Sequence, residues 1–252
     1  MEPYSFIVIA IAVFGSAVIK NSIGIGAGVF LIPVLTLVLP PKVSLGLGAP
    51  AMLISDLVGI KNYWGEWDKR ELTFLLPPAI IGVVVGGLLI QAVSDKSFKF
   101  FVGAVALIFA LYNLLIAKYH GDNSKRGLNI SGLAGDKLSI LFGFLAGTAS
   151  TLIHAGGMVI SIYLINRHPD KRGFVATIVF FFAVINLSKW IAYTQIGILT
   201  WDVAIFVLVI SPLIVLGGFV GNIINRWLQY PIFKTMVLVL ILIIGLRLLM
   251  TV

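Results

Sequence analysis

The sequence contains no cysteine and only three histidines. Without cysteine the chain has no disulfide, no thiol nucleophile and no thiolate ligand for a metal ion. The histidines, His120, His154 and His168, are scattered without the spacing of a metal site. The glycine runs lack the Gly-x-x-x-x-Gly-Lys-Ser/Thr pattern of a nucleotide-binding loop. We therefore expect no metal, no cofactor and no ATP-driven pump within this chain.

Charge is also scarce. Charged residues make up 11% of the 252 positions, whereas a soluble domain has roughly 25%. The chain is 60% hydrophobic with a mean hydropathy of +1.09, and stretches such as 72–93 and 203–220 carry no charge. Apolar segments of about 20 residues span a bilayer. The composition predicts an all-α, multi-pass protein of the cell membrane.

The hydropathy predicts ten apolar segments in two groups of five. They fall at about 4–20, 22–39, 43–64, 71–93 and 98–117, and at about 138–153, 155–166, 172–195, 202–225 and 232–251. The stretch between the groups is the only long hydrophilic segment. We therefore divide the chain into a first transmembrane repeat at 1–117, a linker at 118–136 and a second transmembrane repeat at 137–252. The first segment lacks a basic leader, so we interpret it as a membrane segment rather than a signal peptide.

The two halves resemble each other. A shift of 130 residues aligns Asp56 with Asn186, and a shift of 135 aligns Pro77 with Pro212. The shift changes by a few residues, as loop insertions require. We therefore predict two structural repeats.

Basic residues in the loops predict the orientation. If successive loops alternate sides, one side receives most of the lysines and arginines, beginning with Lys20, and the other receives only four. The rich side is the cytoplasm. Both termini then lie outside, the linker is cytoplasmic, and the second repeat is inverted relative to the first. The net charge of +8 is explained by these loops, so no nucleic-acid partner is expected.

Each half contains an apolar segment broken by glycine, and glycine is a poor helix former. In a transporter such breaks place half-helix N-termini at a substrate site, where their amides bind an anion. The flanking polar side chains add hydroxyl and amide donors. The predicted substrate-binding residues of the two breaks are Asn21, Ser22, Gly24, Gly26, Gly28, Ser150, Thr151, His154, Gly156 and Gly157.

The alternative role of glycine in a membrane helix is close packing. We prefer that role for Gly82 with Gly86 and for Gly217 with Gly221, which have helical i, i+4 spacing. The i, i+2 spacing in the first break does not keep to one helix face and favours a broken helix. The segment at 155–166 is too short to span a membrane, so the first two segments of each half are either re-entrant or fully spanning.

Four charged residues, Asp56, Lys61, Lys189 and Arg247, and His154 lie within apolar segments, where ionisable groups usually face a cavity or a partner. Lys61 and Arg247 lie near segment ends and can extend to the membrane surface. Lys189 is predicted to contact the anion or to pair with a carboxylate. His154 titrates near neutral pH and is a candidate substrate contact and proton carrier, or else a neutral side chain bonded to a carbonyl of the break. Asp56 is a second coupling candidate, because a carboxylate repels an anion unless it is protonated.

Residues 22–35, SIGIGAGVFLIPVL, resemble the glycine-rich, proline-terminated signature that opens each half of the TauE/SafE sulfite exporters, also called the toluene-sulfonate uptake permease family. The chain length, the two hydrophobic halves and the central linker are similar as well. The second copy differs, with the His154 break and Ile162 where a proline is expected. The resemblance implies transport of sulfite, an organosulfonate or a related small organic anion.

These observations predict a secondary transporter that moves a small anion by alternating access, and not an enzyme. An anion channel is one alternative. A membrane-embedded transferase or hydrolase is another, but such an enzyme clusters its carboxylates or histidines at one interface, and Asp56, Asp68 and Asp202 are scattered. The lipid bilayer and the anion are the expected partners, and the sequence does not determine the oligomeric state.

Overall fold

The computed structural model describes residues 3–23, 26–120, 135–164, 171–227 and 230–250. Every regular element in these ranges is an α-helix, which confirms the predicted all-α class. The helices are α1 (Pro3–Ile23), α2 (Ala27–Thr36), α3 (Pro41–Asn62), α4 (Lys69–Ala92), α5 (Asp95–His120), α6 (Gly135–Ile153), α7 (Gly156–Leu164), α8 (Lys171–Gln195), α9 (Trp201–Trp227) and α10 (Tyr230–Met250). Most of the predicted linker and Gly24 lie outside the described residues.

Six of the described helices, α1, α3, α4, α5, α8 and α9, are long and apolar enough to cross a membrane. Their outer surfaces carry large apolar side chains such as Leu88, Ile108 and Val209, each more than half exposed. A continuous apolar surface of this kind is unfavourable in water and suits contact with lipid. The chain is therefore a multi-pass membrane protein.

Helices α2 and α7 are half-helices. They contain 10 and 9 residues, or about 15 Å of helix, half the thickness of the hydrocarbon core. Each begins within a few residues of the end of the preceding helix. Helix α1, with 21 residues, is long enough to span the membrane. Only the second member of each predicted pair is therefore a half-helix.

The packing of the long helices is similar when the two halves are exchanged, whereas α2 contacts α5 and α10 more extensively than α7 contacts their equivalents. Helix α1 packs on α9 as α6 packs on α4, and α3 packs on α9 as α8 packs on α4. Two further large contacts join equivalent helices, α3 with α8 and α5 with α10. These contacts are those expected if a pseudo-two-fold axis passes through the α3–α8 and α5–α10 pairs.

The equivalent helices α3 and α8 run in opposite directions. Gly46 of α3 lies against Ile198 just beyond α8, Asp56 bonds to Asn186, and Gly59 lies against Val179. Residue numbers therefore rise along one helix as they fall along the other. Equivalent helices that are antiparallel support the predicted inverted repeat, and Asp56 meets its own repeat mate near the axis.

The glycines with helical spacing serve close packing, as predicted. A Cβ on Gly217 would lie 2.6 Å from the Phe14 carbonyl oxygen, and one on Gly221 would lie 2.6 Å from that of Val18. Gly82 and Gly86 meet α6 in the same way. Helices without side chains at the contact approach closely and gain dispersion energy, the main source of helix association in lipid.

Candidate functional site

The two helix breaks touch each other in the interior. A Cβ on Gly28 would clash with the carbonyl oxygen of His154, so the glycine is needed for this approach. Gly26 has φ +89° and begins the turn into α2. His154 has φ +57° and is the only non-glycine residue with a positive φ in the described part of the chain. A left-handed histidine is uncommon and marks a backbone fixed by its surroundings.

A small cavity lies where the breaks meet. Its volume of about 40 Å³ holds roughly three water molecules or one compact oxyanion. Both halves of the chain contribute to its wall, and the N-termini of both half-helices face it. The lining residues are Lys20, Gly26, Ala27, Gly28, Met52, Ser150, His154, Gly157, Phe182, Asn186 and Lys189.

One of the two lysines in the wall is paired with a carboxylate. The Nζ of Lys20 lies 2.5 Å from Oδ1 of the fully buried Asp56. The Asn186 amide donates to Oδ2 of the same carboxylate at 2.7 Å. Lys20 also donates to the Met52 carbonyl at 3.3 Å. Asp56 lies behind Lys20 and compensates its charge without forming part of the cavity wall.

The other lysine has no carboxylate partner. Lys189 is 1% exposed, and its Nζ donates to the carbonyl and hydroxyl oxygens of Ser150 at 3.3 and 3.2 Å. No carboxylate lies within ion-pair distance of this lysine among the described residues. Its predicted alternative role, pairing with a carboxylate, is not found there. With Lys20, Lys189 and Asp56 ionised, the described residues around the cavity therefore carry one positive charge that no carboxylate neutralises.

His154 presents an unsatisfied side chain to the cavity. It is 7% exposed, and neither ring nitrogen has a hydrogen-bond partner in the described part of the chain. The backbone of Gly48 in α3 faces the ring, but without acceptable hydrogen-bond geometry. Buried polar groups are normally hydrogen-bonded. The predicted alternative, a histidine bonded to a carbonyl of its own break, is therefore not what the structure shows.

Four predicted residues lie beside the cavity rather than in its wall. The Ser22 and Thr151 hydroxyls donate to carbonyls one turn earlier in their own helices, at 2.6 and 2.9 Å. Asn21 donates to the Ala17 carbonyl and the Ser55 hydroxyl. Gly156 packs against the backbone of α6. These residues stabilise the breaks. The side-chain donors of Ser22, Thr151 and Asn21 are used within the protein, and Gly156 is packed against α6.

Sequence reasoning placed Lys20 in a loop, and the structure corrects this. Lys20 lies in the last turn of α1 and enters the cavity, so it does not belong to the loop charges that predict orientation. Met52, Phe182 and Ala27 were not singled out either, since nothing distinguishes them from other apolar residues. Asn186 was noticed only as the mate of Asp56. The sequence did contain an indication for Lys20, because the 130-residue shift aligns it with Ser150, which was itself predicted to bind the substrate.

Comparison with known proteins identifies the family of the chain. A family model described as Sulfite exporter TauE/SafE matches residues 8–248, which include both breaks and every residue of the cavity wall. No curated protein and no solved structure matches the chain. Since the match extends over almost the whole length, this membrane protein belongs to the sulfite exporter TauE/SafE family of transporters.

Proposed function

We propose that this chain is a secondary transporter that carries a small oxyanion, such as sulfite, through the cavity between the two helix breaks. The observation that carries the proposal is Lys189, a buried lysine with no carboxylate partner among the residues that the structure describes. An uncompensated charge inside a membrane protein is costly and marks an ion or substrate pathway. A bound anion is the partner that removes this cost.

The backbone supports the same substrate. The first amides of an α-helix have no partner inside the helix and carry partial positive charge. Helices α2 and α7 begin at the cavity, with Ala27, Gly28 and Gly157 in its wall. Ser150 adds a hydroxyl beside Lys189. An anion bound there would meet amides from both repeats together with one free cation.

The cavity size favours the smallest members of the substrate range implied by the family. A volume of about 40 Å³ suits an ion of four heavy atoms. An aromatic sulfonate would require the walls to separate, because close-packed interiors do not deform without cost. We therefore place sulfite ahead of the organosulfonates.

Alternating access follows from the inverted arrangement. The half-helices approach one site from the two repeats, so a shift of one repeat against the other would open the site to one side at a time. His154 and Asp56 remain the candidates for coupling to a proton. A channel would instead keep a continuous path.

The proposed orientation still rests on loop charge. Removing Lys20 from the basic side does not change which side is richer. The other side still carries only Lys42, Lys96, Lys99 and Arg247. We propose that both termini are extracytoplasmic and that the linker is cytoplasmic. A reporter that is active only in the cytoplasm should be silent when fused after Val252, and activity at that position would contradict this orientation.

Counterflow in proteoliposomes tests the transport proposal. Vesicles containing the purified chain and loaded with unlabelled sulfite should accumulate labelled sulfite transiently from outside, whereas a channel dissipates such a gradient. Gly157→Leu should abolish the signal, because it fills the cavity next to Phe182. Gly157→Ala is the matched control, since its Cβ would lie 3.8 Å from that ring in ordinary contact. Equal counterflow from Gly157→Leu and wild type would place the substrate elsewhere.

A further inference from the structure

Three charged side chains determine the electrostatics of the cavity. Lys20 and Lys189 are in its wall, and Asp56 lies directly behind Lys20, 2.5 Å from its Nζ. His154 is the other titratable group that faces the cavity from the described elements. With Lys20, Lys189 and Asp56 all ionised, the two lysines and the carboxylate sum to one positive charge.

We propose that Asp56 sets the charge of the anion that the site accepts, so that the site favours a monoanion over a dianion of the same shape. The inference rests on the proposed function, namely that the cavity binds the transported anion. A monoanion brings the cluster to neutrality, whereas a dianion leaves a net negative charge away from water. Charge imbalance is most costly where the dielectric constant is low. Asp56 acts through Lys20, so it is a positioning residue and not a substrate contact.

The inference identifies a particular form of the substrate. Sulfite exists near neutral pH as both the hydrogensulfite monoanion and the sulfite dianion. The site selects the monoanion while Asp56 is ionised, and it accepts the dianion when Asp56 carries a proton. In both cases the anion, together with any proton bound by Asp56, adds one net negative charge to the cluster. The ligand class is thus a compact oxyanion that brings one net negative charge.

Chlorate and sulfite separate charge from shape. Both are pyramidal ions with three oxygens, but chlorate is a monoanion at every pH. The comparison is made at about pH 8.5, where sulfite is a dianion and the medium is about two units above the ordinary histidine value. Calorimetric titration of the purified full chain gives both affinities. We expect the wild type to bind chlorate more tightly than sulfite.

Asp56→Asn should reverse this preference. The variant keeps the shape of the side chain and an amide contact with Asn186, but it raises the cluster to two positive charges. The ratio of sulfite to chlorate affinity should rise on the order of tenfold, because the dianion gains twice as much from the added charge. A purely structural role for Asp56 would weaken both anions without changing their ratio.

Exchange of the two repeat mates provides the control. In the double variant Asp56→Asn/Asn186→Asp, the carboxylate moves across the 2.7 Å contact and the total charge is restored. The wild-type preference should return. Asn186→Asp alone adds a second carboxylate and should weaken the binding of sulfite more than that of chlorate. This variant tests the inference even if Asp56→Asn does not fold.

The outcomes distinguish this inference from the function on which it rests. If the anions bind but their affinity ratio is unchanged in Asp56→Asn and in Asn186→Asp, the charge assignment is wrong while the anion site stands. If neither anion binds to the wild type, the proposed function fails and the inference fails with it. A shifted ratio that returns in the exchanged variant supports both.

Discussion

The two helix breaks each precede a half-helix, but the charges beside them are arranged differently. In the first repeat, Lys20 at the end of α1 is neutralised by Asp56 of α3. In the second repeat, Ser150 takes the place of that lysine under the 130-residue shift, and the cation is Lys189 of α8, aligned with Gly59. One repeat thus contributes a compensated cation and the other a free one.

The difference shows that repeats can share a frame while their chemistry diverges. The shared structure consists of a half-helix, the break before it and a close backbone contact, and both repeats have these features. The charges are not part of that shared structure, because a side chain in the cavity can change without altering the helix contacts. The asymmetry underlies the proposed anion site, since a symmetric pair of ion pairs would have no net charge.

The largest effect should come from breaking the compensated pair. Lys20→Met leaves Asp56 buried without its cation, and loss of one partner of a buried pair typically costs about 3–5 kcal/mol. We therefore expect a marked fall in thermal stability of the purified protein in detergent. The double variant Lys20→Met/Asp56→Asn should recover most of the loss. Stability that stays low in the double variant would mean that Lys20 acts through packing rather than charge.

Substitution of Lys189 should lower the anion affinity rather than the stability. Lys189→Met removes a lysine that has no carboxylate to leave behind, so thermal stability should be unchanged or higher. Anion affinity should fall by about 10- to 100-fold, because a charge-assisted hydrogen bond contributes roughly 1.5–3 kcal/mol. Calorimetric titration with sulfite measures the anion affinity, and thermal unfolding without the anion measures the stability. Wild-type affinity in this variant would remove Lys189 from the site.

The glycines of the two breaks should also differ in how much stability is lost when they are replaced by alanine. Gly28→Ala places a Cβ on the carbonyl of His154 and should cost about 1–3 kcal/mol, the usual range for overpacking. Gly157→Ala meets only the Phe182 ring at 3.8 Å and should stay within about 0.5 kcal/mol of wild type. Thermal unfolding of the two variants tests the contrast. Equal losses would contradict the close contact between the breaks.

The smallest effect at fixed pH should come from His154→Asn. Asparagine tolerates the left-handed backbone of this position and keeps a polar side chain, but it does not titrate. If His154 carries a coupling proton, the variant should lose pH-driven uphill uptake in proteoliposomes and retain anion exchange. Uptake with the wild-type pH dependence would exclude His154 and leave Asp56 as the coupling candidate.

Sequence patterns predicted the helices well because hydropathy in a membrane protein is a strong signal. The segments expected at about 172–195 and 202–225 correspond to α8 (Lys171–Gln195) and α9 (Trp201–Trp227). The segment expected at about 22–39 corresponds to a shorter helix, Ala27–Thr36, because Ser22 and Ile23 belong to α1 and an apolar turn at 37–39 extends the hydropathy signal beyond α2. The loop-based orientation and the exact repeat boundaries stay predictions.

The candidate site could be predicted only in part. Lys189 and His154 were identifiable because an ionisable residue within an apolar segment is unusual. Lys20 was not, since a lysine at the end of a predicted span is the ordinary pattern at a membrane surface. The packing of α1 on α2 and α3 is what brings its last turn into the interior.

The sequence by itself determined the all-α membrane class, the ten helical segments, the two glycine breaks and the family. These features depend on local composition and periodicity, which neighbouring residues along the chain specify. Only the tertiary structure decided that the breaks meet, that Asp56 pairs with Lys20, and that Lys189 has no carboxylate beside it in the described part of the chain. Pairing of charges depends on distances between helices far apart in sequence, and those distances are set by the packing of glycine faces in three dimensions.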